Sequence, residues 1–149
     1  MNTRAAAKKR QDARDRALYK KIQQFAGPWA AFLGLSQRWE ITFQLEDFPE
    51  GSLESGVVYT HYPYLKALIK VSRVYVRTCT PFELEGLVVH ELCHIIADSV
   101  WGPVKKLVGD ATIVGDAIQQ SMEMLVDDMM RAFMRLRTDK NGGLIYATS

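Results

Sequence analysis

The chain has 149 residues, 48% of them apolar and 24% charged. That is enough for one globular domain with a real core, and it argues against a disordered or collagen-like chain. The net charge of +2 excludes a protein that is polycationic throughout, yet residues 1–21 hold eight Lys/Arg against two Asp, while the other 128 residues hold eleven Lys/Arg against fifteen Asp/Glu.

Residues 3–26 are rich in Ala, Lys, Arg, Gln and Leu, which predicts a helix. Its first half has almost no apolar face. Leu18, Ile22 and Phe25 then form a stripe that can dock on the body. No aromatic or base-reading pattern accompanies the basic run. A solvated helix face is therefore the simpler reading, with nucleic acid as the other partner to consider. Gly27-Pro28 predicts a break, and Trp29 to Leu35 a short second helical piece ended by Gly34.

Trp39 to Leu45 alternates strictly, with Trp39, Ile41, Phe43 and Leu45 on one face, and predicts a half-buried strand. Residues 46–55 read as a polar loop. Gly56 to Tyr62 predicts a second strand, limited by Pro63, and Leu65 to Val76 a third. Thr80 opens a helix: it suits the N-cap, Pro81 suits the first turn, and Glu83 completes a capping box. Leu84, Leu87, Val88, Leu92, Ile95 and Ile96 supply an apolar surface to a helix over roughly 81–99. Residues 101–109, with Gly102, Pro103 and Gly109, predict a connection.

Asp110 to Arg137 predicts a long helix with a core stripe of Ile118, Met122, Leu125, Met129, Phe133 and Leu136. Its methionines read as core rather than as cofactor ligands. Asn141-Gly142-Gly143 stops the pattern. The expected fold is α+β, a small three-stranded sheet packed against the 81–99 helix and the long C-terminal helix, with an N-terminal helix. The expected divisions are a basic helical arm over 1–26, a folded domain over 27–137 and a tail over 138–149. Cys79 and Cys93 do not read as a disulfide framework, and neither a clean signal peptide nor a membrane-length apolar stretch is present, so a cytoplasmic setting is expected.

The chemistry gathers in His90-Glu91-Leu92-Cys93-His94, an HExxH pentapeptide inside the 81–99 helix. Residues i and i+4 share a helix face, so His90 and His94 can present two imidazoles to one metal ion. Glu91 lies about 100° round the helix, within reach of a water on that ion. The flanks Val88, Val89, Ile95 and Ile96 make the helix a buried one, where polar side chains need partners. Zinc would be such a partner; a hydrogen-bonded histidine pair without metal is the alternative.

A catalytic zinc usually takes three protein ligands. Glu123 is the preferred third, because it lies among core positions of the long helix. Asp127, Asp116 and His61 are the other candidates. Glu123 and Asp127 are like charges at i, i+4, which repel and call for a cation nearby; Arg131 is placed to serve Asp127. Asp98, at i+4 from His94, is a candidate carboxylate behind a ligand imidazole, as is Asp127.

HELCH on a helix after a small sheet, followed by Glu123-Met124-Leu125-Val126-Asp127 on a second helix, resembles the minimal zincin-type metallopeptidases. These include small phage and bacterial members and the ImmA/IrrE-like family of mobile elements. Leu33-Gly34-Leu35 and Trp39-Glu40-Ile41 resemble how such domains begin, and the resemblance covers roughly residues 29–136. It implies a zincin-like metallopeptidase domain over 27–137, zinc held by His90, His94 and a downstream glutamate, and hydrolysis of a peptide or isopeptide bond. The chain lacks the HExxHxxGxxH extension of metzincins. It also lacks a histidine beside Trp101-Gly102-Pro103, where SprT-like proteases have one.

The expected reaction is hydrolysis of a peptide bond by Glu91-assisted attack of zinc-bound water. Tyr62, Tyr64 and Arg77 are candidate oxyanion donors, and an edge strand could hold an extended peptide. The alternative function is a non-catalytic, zinc-stabilised domain that binds protein or DNA. A purely structural site, however, has no use for the base Glu91.

Overall fold

A computed structural model describes residues 3–49, 51–52, 54–108 and 113–136. The order of elements is α1 (Thr3–Phe32), β1 (Glu40–Glu46), β2 (Gly56–His61), a 3-10 turn (Tyr62–Tyr64), β3 (Lys66–Ser72), α2 (Arg73–Thr78), α3 (Pro81–Val108) and α4 (Ile113–Leu136). This is the expected α+β architecture. The chain forms two compact units, Met1–Val88 and Val89–Ser149, and α3 runs through the boundary. The expected tail over 138–149 and the stop at Asn141-Gly142-Gly143 lie outside the described residues.

In the first unit the sheet order is β1-β3-β2. β3 pairs in parallel with β1, from Glu40 opposite Lys66 to Glu46 opposite Ser72, and antiparallel with β2. The central strand carries the buried residues Ala67, Ile69 and Val71, joined on that face by Phe43 of β1. The opposite face carries the ion pair Glu40–Lys66 at 2.8 Å and Lys70 over the Tyr59 ring. Period-2 alternation decides this face, as the sequence of β1 suggests.

Leu18, Ile22, Ala26, Trp29 and Ala30 form the buried stripe of α1. The predicted break at Gly27-Pro28 does not occur, and α1 continues through Pro28 to Phe32. Pro28 removes one helical hydrogen bond. The burial of Ala26, Trp29 and Ala30 on either side offsets that loss, and the Trp29 indole N–H donates to Glu85 at 2.9 Å. The helix ends where Gly34, at a φ of 70°, lets its own N–H reach the Ala31 carbonyl and Leu35 N–H the Ala30 carbonyl. This is a Schellman stop, and it favours glycine because of the left-handed φ.

The predicted third strand also needs correction. It starts at Lys66, because Leu65 takes a left-handed conformation after the 3-10 turn, and it stops at Ser72. The Ser72 hydroxyl accepts from Tyr75 N–H at 3.3 Å and caps α2. The β-branched Val74 and Val76 suggest continued strand, but the cap prevails. Arg73, in the first turn of α2, is 15% exposed. It binds Asp15 of α1 through two bonds of 3.1 Å and also pairs with Asp47 after β1. The two carboxylates hold the Arg73 pKa above its ordinary value.

The capping box forms as the sequence predicts. Glu83 N–H donates to the Thr80 hydroxyl at 3.3 Å, and Thr80 N–H donates to the Glu83 carboxylate at 2.7 Å. These bonds hold the exposed Glu83 carboxyl below its ordinary pKa. α3 is longer than predicted, since Gly102 and Pro103 lie inside it rather than in a connection. In the second unit, the buried side of α4 is Gly115, Met122, Val126 and Met134, whereas Leu125 and Leu136 of the predicted stripe are 42% and 49% exposed. No helix among the described residues is long and apolar enough to cross a membrane.

Candidate metal centre

The site is built within the second unit by one stretch of α3 and one of α4. Val89, Leu92, Cys93 and Ile95 are fully buried. They fix the rotation of α3, and the i, i+4 spacing then carries His90 and His94 to a common side. Their Nε2 atoms are 3.1 Å apart. Glu123 of α4 brings Oε2 to 3.5 Å from His94 Nε2 and 3.9 Å from His90 Nε2. One donor atom from each of the three residues lies within 4.8 Å of the others, a group that can hold a metal ion.

The chemistry of the set fits a small divalent ion. Donors around a tetrahedral ion with bonds of about 2.1 Å stand about 3.4 Å apart, and the three separations bracket that value. The other side of His90 is also engaged, with Nδ1 3.1 Å from Asp127 Oδ1. A carboxylate there favours a proton on Nδ1, which leaves the Nε2 side for a metal. Arg131 lies 3.9 Å from the second oxygen of Asp127.

Burial pushes the His94 pKa below the ordinary histidine value, and His90 adds to the fall. Glu123, Asp98 and Asp127 oppose it through charge. His94 is thus a neutral imidazole at neutral pH, the form that binds metal. Asp98 acts on His94 through charge. Glu91 is 3% exposed; it and Ser72 are the buried polar side chains among the described residues. Cys93 is buried too, and burial pushes its thiol up to about 12.

A family model described as "Putative phage metallopeptidase" matches residues 3–114. The chain belongs to this phage metallopeptidase family. Membership implies a metal and a peptide substrate, and the match covers the first unit from residue 3 onward together with His90, Glu91 and His94. The matched span ends before Glu123, so the α4 half of the site rests on the geometry of this chain alone. No curated protein and no solved structure is significantly similar to the chain.

The remaining candidates lie as follows. Asp116 is exposed in the first turn of α4. In the first unit, His61 is exposed at the end of β2, its ring 5.1 Å from that of Tyr64. Tyr62 and Tyr64 form the 3-10 turn, Tyr62 packs edge-on against Trp39, and Arg77 is exposed in the last turn of α2. The sequence reading missed Gln119, whose amide donates to Glu123 Oε1 at 2.7 Å. Its signal was its place four residues before Glu123.

Proposed function

We propose that the protein is a zinc-dependent peptidase in which His90, His94 and Glu123 hold the metal and Glu91 is the general base. The observation that carries this reading is the convergence, within 4.8 Å, of one Glu123 oxygen of α4 with a ring nitrogen from each of His90 and His94 on α3, the helix that also carries Glu91. Two imidazoles and a carboxylate are a donor set of catalytic zinc, which leaves room for water. Zinc bound there supplies a Lewis acid that polarises the scissile carbonyl and lowers the pKa of a water towards about 7.

The chain's own residues do the rest. Glu91 takes a proton from the attacking water as the new C–O bond forms. It passes that proton to the amide nitrogen as the C–N bond breaks, so the amine leaves neutral. Asp127 holds the His90 ring through Nδ1, and Asp98 adds negative charge near His94. β1 and β2 are the outer strands of the sheet, and either leaves an edge to which an extended peptide can add. With both cysteines free, the chemistry suits a reducing, cytoplasmic compartment.

The test is Glu91→Gln, assayed on a mixed peptide library by mass spectrometry. Hydrolysis is expected to fall by about 100-fold or more, with metal content and melting temperature unchanged. Full activity in the variant would remove Glu91 from the mechanism. A zinc-loaded wild type that cleaves nothing would favour the non-catalytic alternative.

A further inference from the structure

Gln119, Glu123, Asp127 and Arg131 succeed one another at i+4 along α4 and stand in one row on the helix. Every member of the row has a measured contact. Gln119 Nε2 donates to Glu123 Oε1 at 2.7 Å. Glu123 Oε2 lies 3.5 and 3.9 Å from the two histidines, and Asp127 Oδ1 lies 3.1 Å from His90 Nδ1. Arg131 lies 3.9 Å from Asp127 Oδ2. The two oxygens of Glu123 therefore differ: one faces Gln119 and the other the histidine pair.

We propose that Gln119 is a positioning residue that holds Oε1 and so restricts Glu123 to one-oxygen ligation through Oε2. The inference rests on the metal-site reading above. The Glu123 side chain is 46% exposed and has three rotatable bonds, and Asp127 repels it from the next turn. Left to itself it can swing into solvent, or turn both oxygens towards a cation. A two-oxygen ligand would take the position that water and the peptide carbonyl require. A neutral amide is suited to the task. It donates one hydrogen bond without neutralising the carboxylate, as a lysine in its place would do.

The experiment uses the full chain with Zn2+ in competition with a chromophoric chelator, and Co2+ as a spectroscopic probe. The variants are Gln119→Ala and Gln119→Leu, and melting of the metal-free proteins serves as a control for folding. Both variants are expected to bind zinc about tenfold more weakly. Their visible cobalt bands are expected to lose intensity, the sign of a rise in coordination number, while metal-free melting stays at the wild-type temperature. A helix-surface hydrogen bond with only a structural role would shift melting and leave the cobalt spectrum alone, and that outcome overturns the proposal. Unchanged affinity and spectrum in both variants also overturn it. A wild type that binds neither metal defeats the metal-site reading itself, and with it this inference.

Discussion

α3 and α4 each supply part of the site, but their sequences encode it differently. In α3 the histidines sit in an almost wholly apolar segment, and their spacing already states which side they share. In α4 the site carboxylate is one acid among several, and the apolar pattern around it points elsewhere. A motif that contains its own geometry can be read without the partner it faces. A lone ligand cannot, because its direction depends on how its helix is rotated, and that rotation is set by packing.

Ligand deletion tests this difference most strongly. His94→Ala and Glu123→Ala are each expected to weaken zinc binding by on the order of 10² to 10³, as measured by chelator competition. A Glu123→Ala protein with wild-type affinity would remove Glu123 from the site and move the third donor to another acid of the same helix, Asp127 or Asp116. Packing gives the next effect. Val126→Ala, at a fully buried position, is expected to cost about 2 kcal/mol, whereas Leu125→Ala stays within about 0.5 kcal/mol, both by denaturant unfolding. The reverse ranking would restore the apolar stripe read from the sequence. Asp127→Asn is the smallest change. It keeps the shape but removes the charge behind His90, and zinc affinity is expected to fall about tenfold while Asp128→Asn leaves it alone. Equal losses in the two would mean that only the overall negative charge of α4 matters.

Much of the fold was legible because its signals are local. The strict alternation over 39–45 marks β1, and the box of Thr80 and Glu83 marks the start of α3. The misreadings share one cause, the weight given to residue type over packing. Gly27-Pro28 and Gly102-Pro103 look like breakers, yet both lie inside helices. Val74 and Val76 look like strand, yet Ser72 caps a helix before them. On α4 the inward side includes Gln119, Glu123 and Asp127 beside Met122 and Val126, so a stripe drawn through apolar residues alone misses part of it. The pairing of His90 with Asp127 lies beyond any period, because it joins two helices separated by a connection.

The clasp of Arg73 on Asp15 and Asp47 bears on where this protein can be trimmed. The basic N-terminal stretch has the composition of a disposable leader, and a boundary at Gly27-Pro28 looks natural from composition alone. Cutting there would strip Arg73 of its two-bond partner, uncover the surface that Leu18, Ile22 and Ala26 occupy, and leave Trp29 at a frayed end. A chain shortened to residue 27 should therefore melt at a lower temperature than the full one, and thermal denaturation of the two side by side would show it. The positive charge of that helix faces outward on a segment whose other side belongs to the fold, so its lysines and arginines can be exchanged while its length cannot.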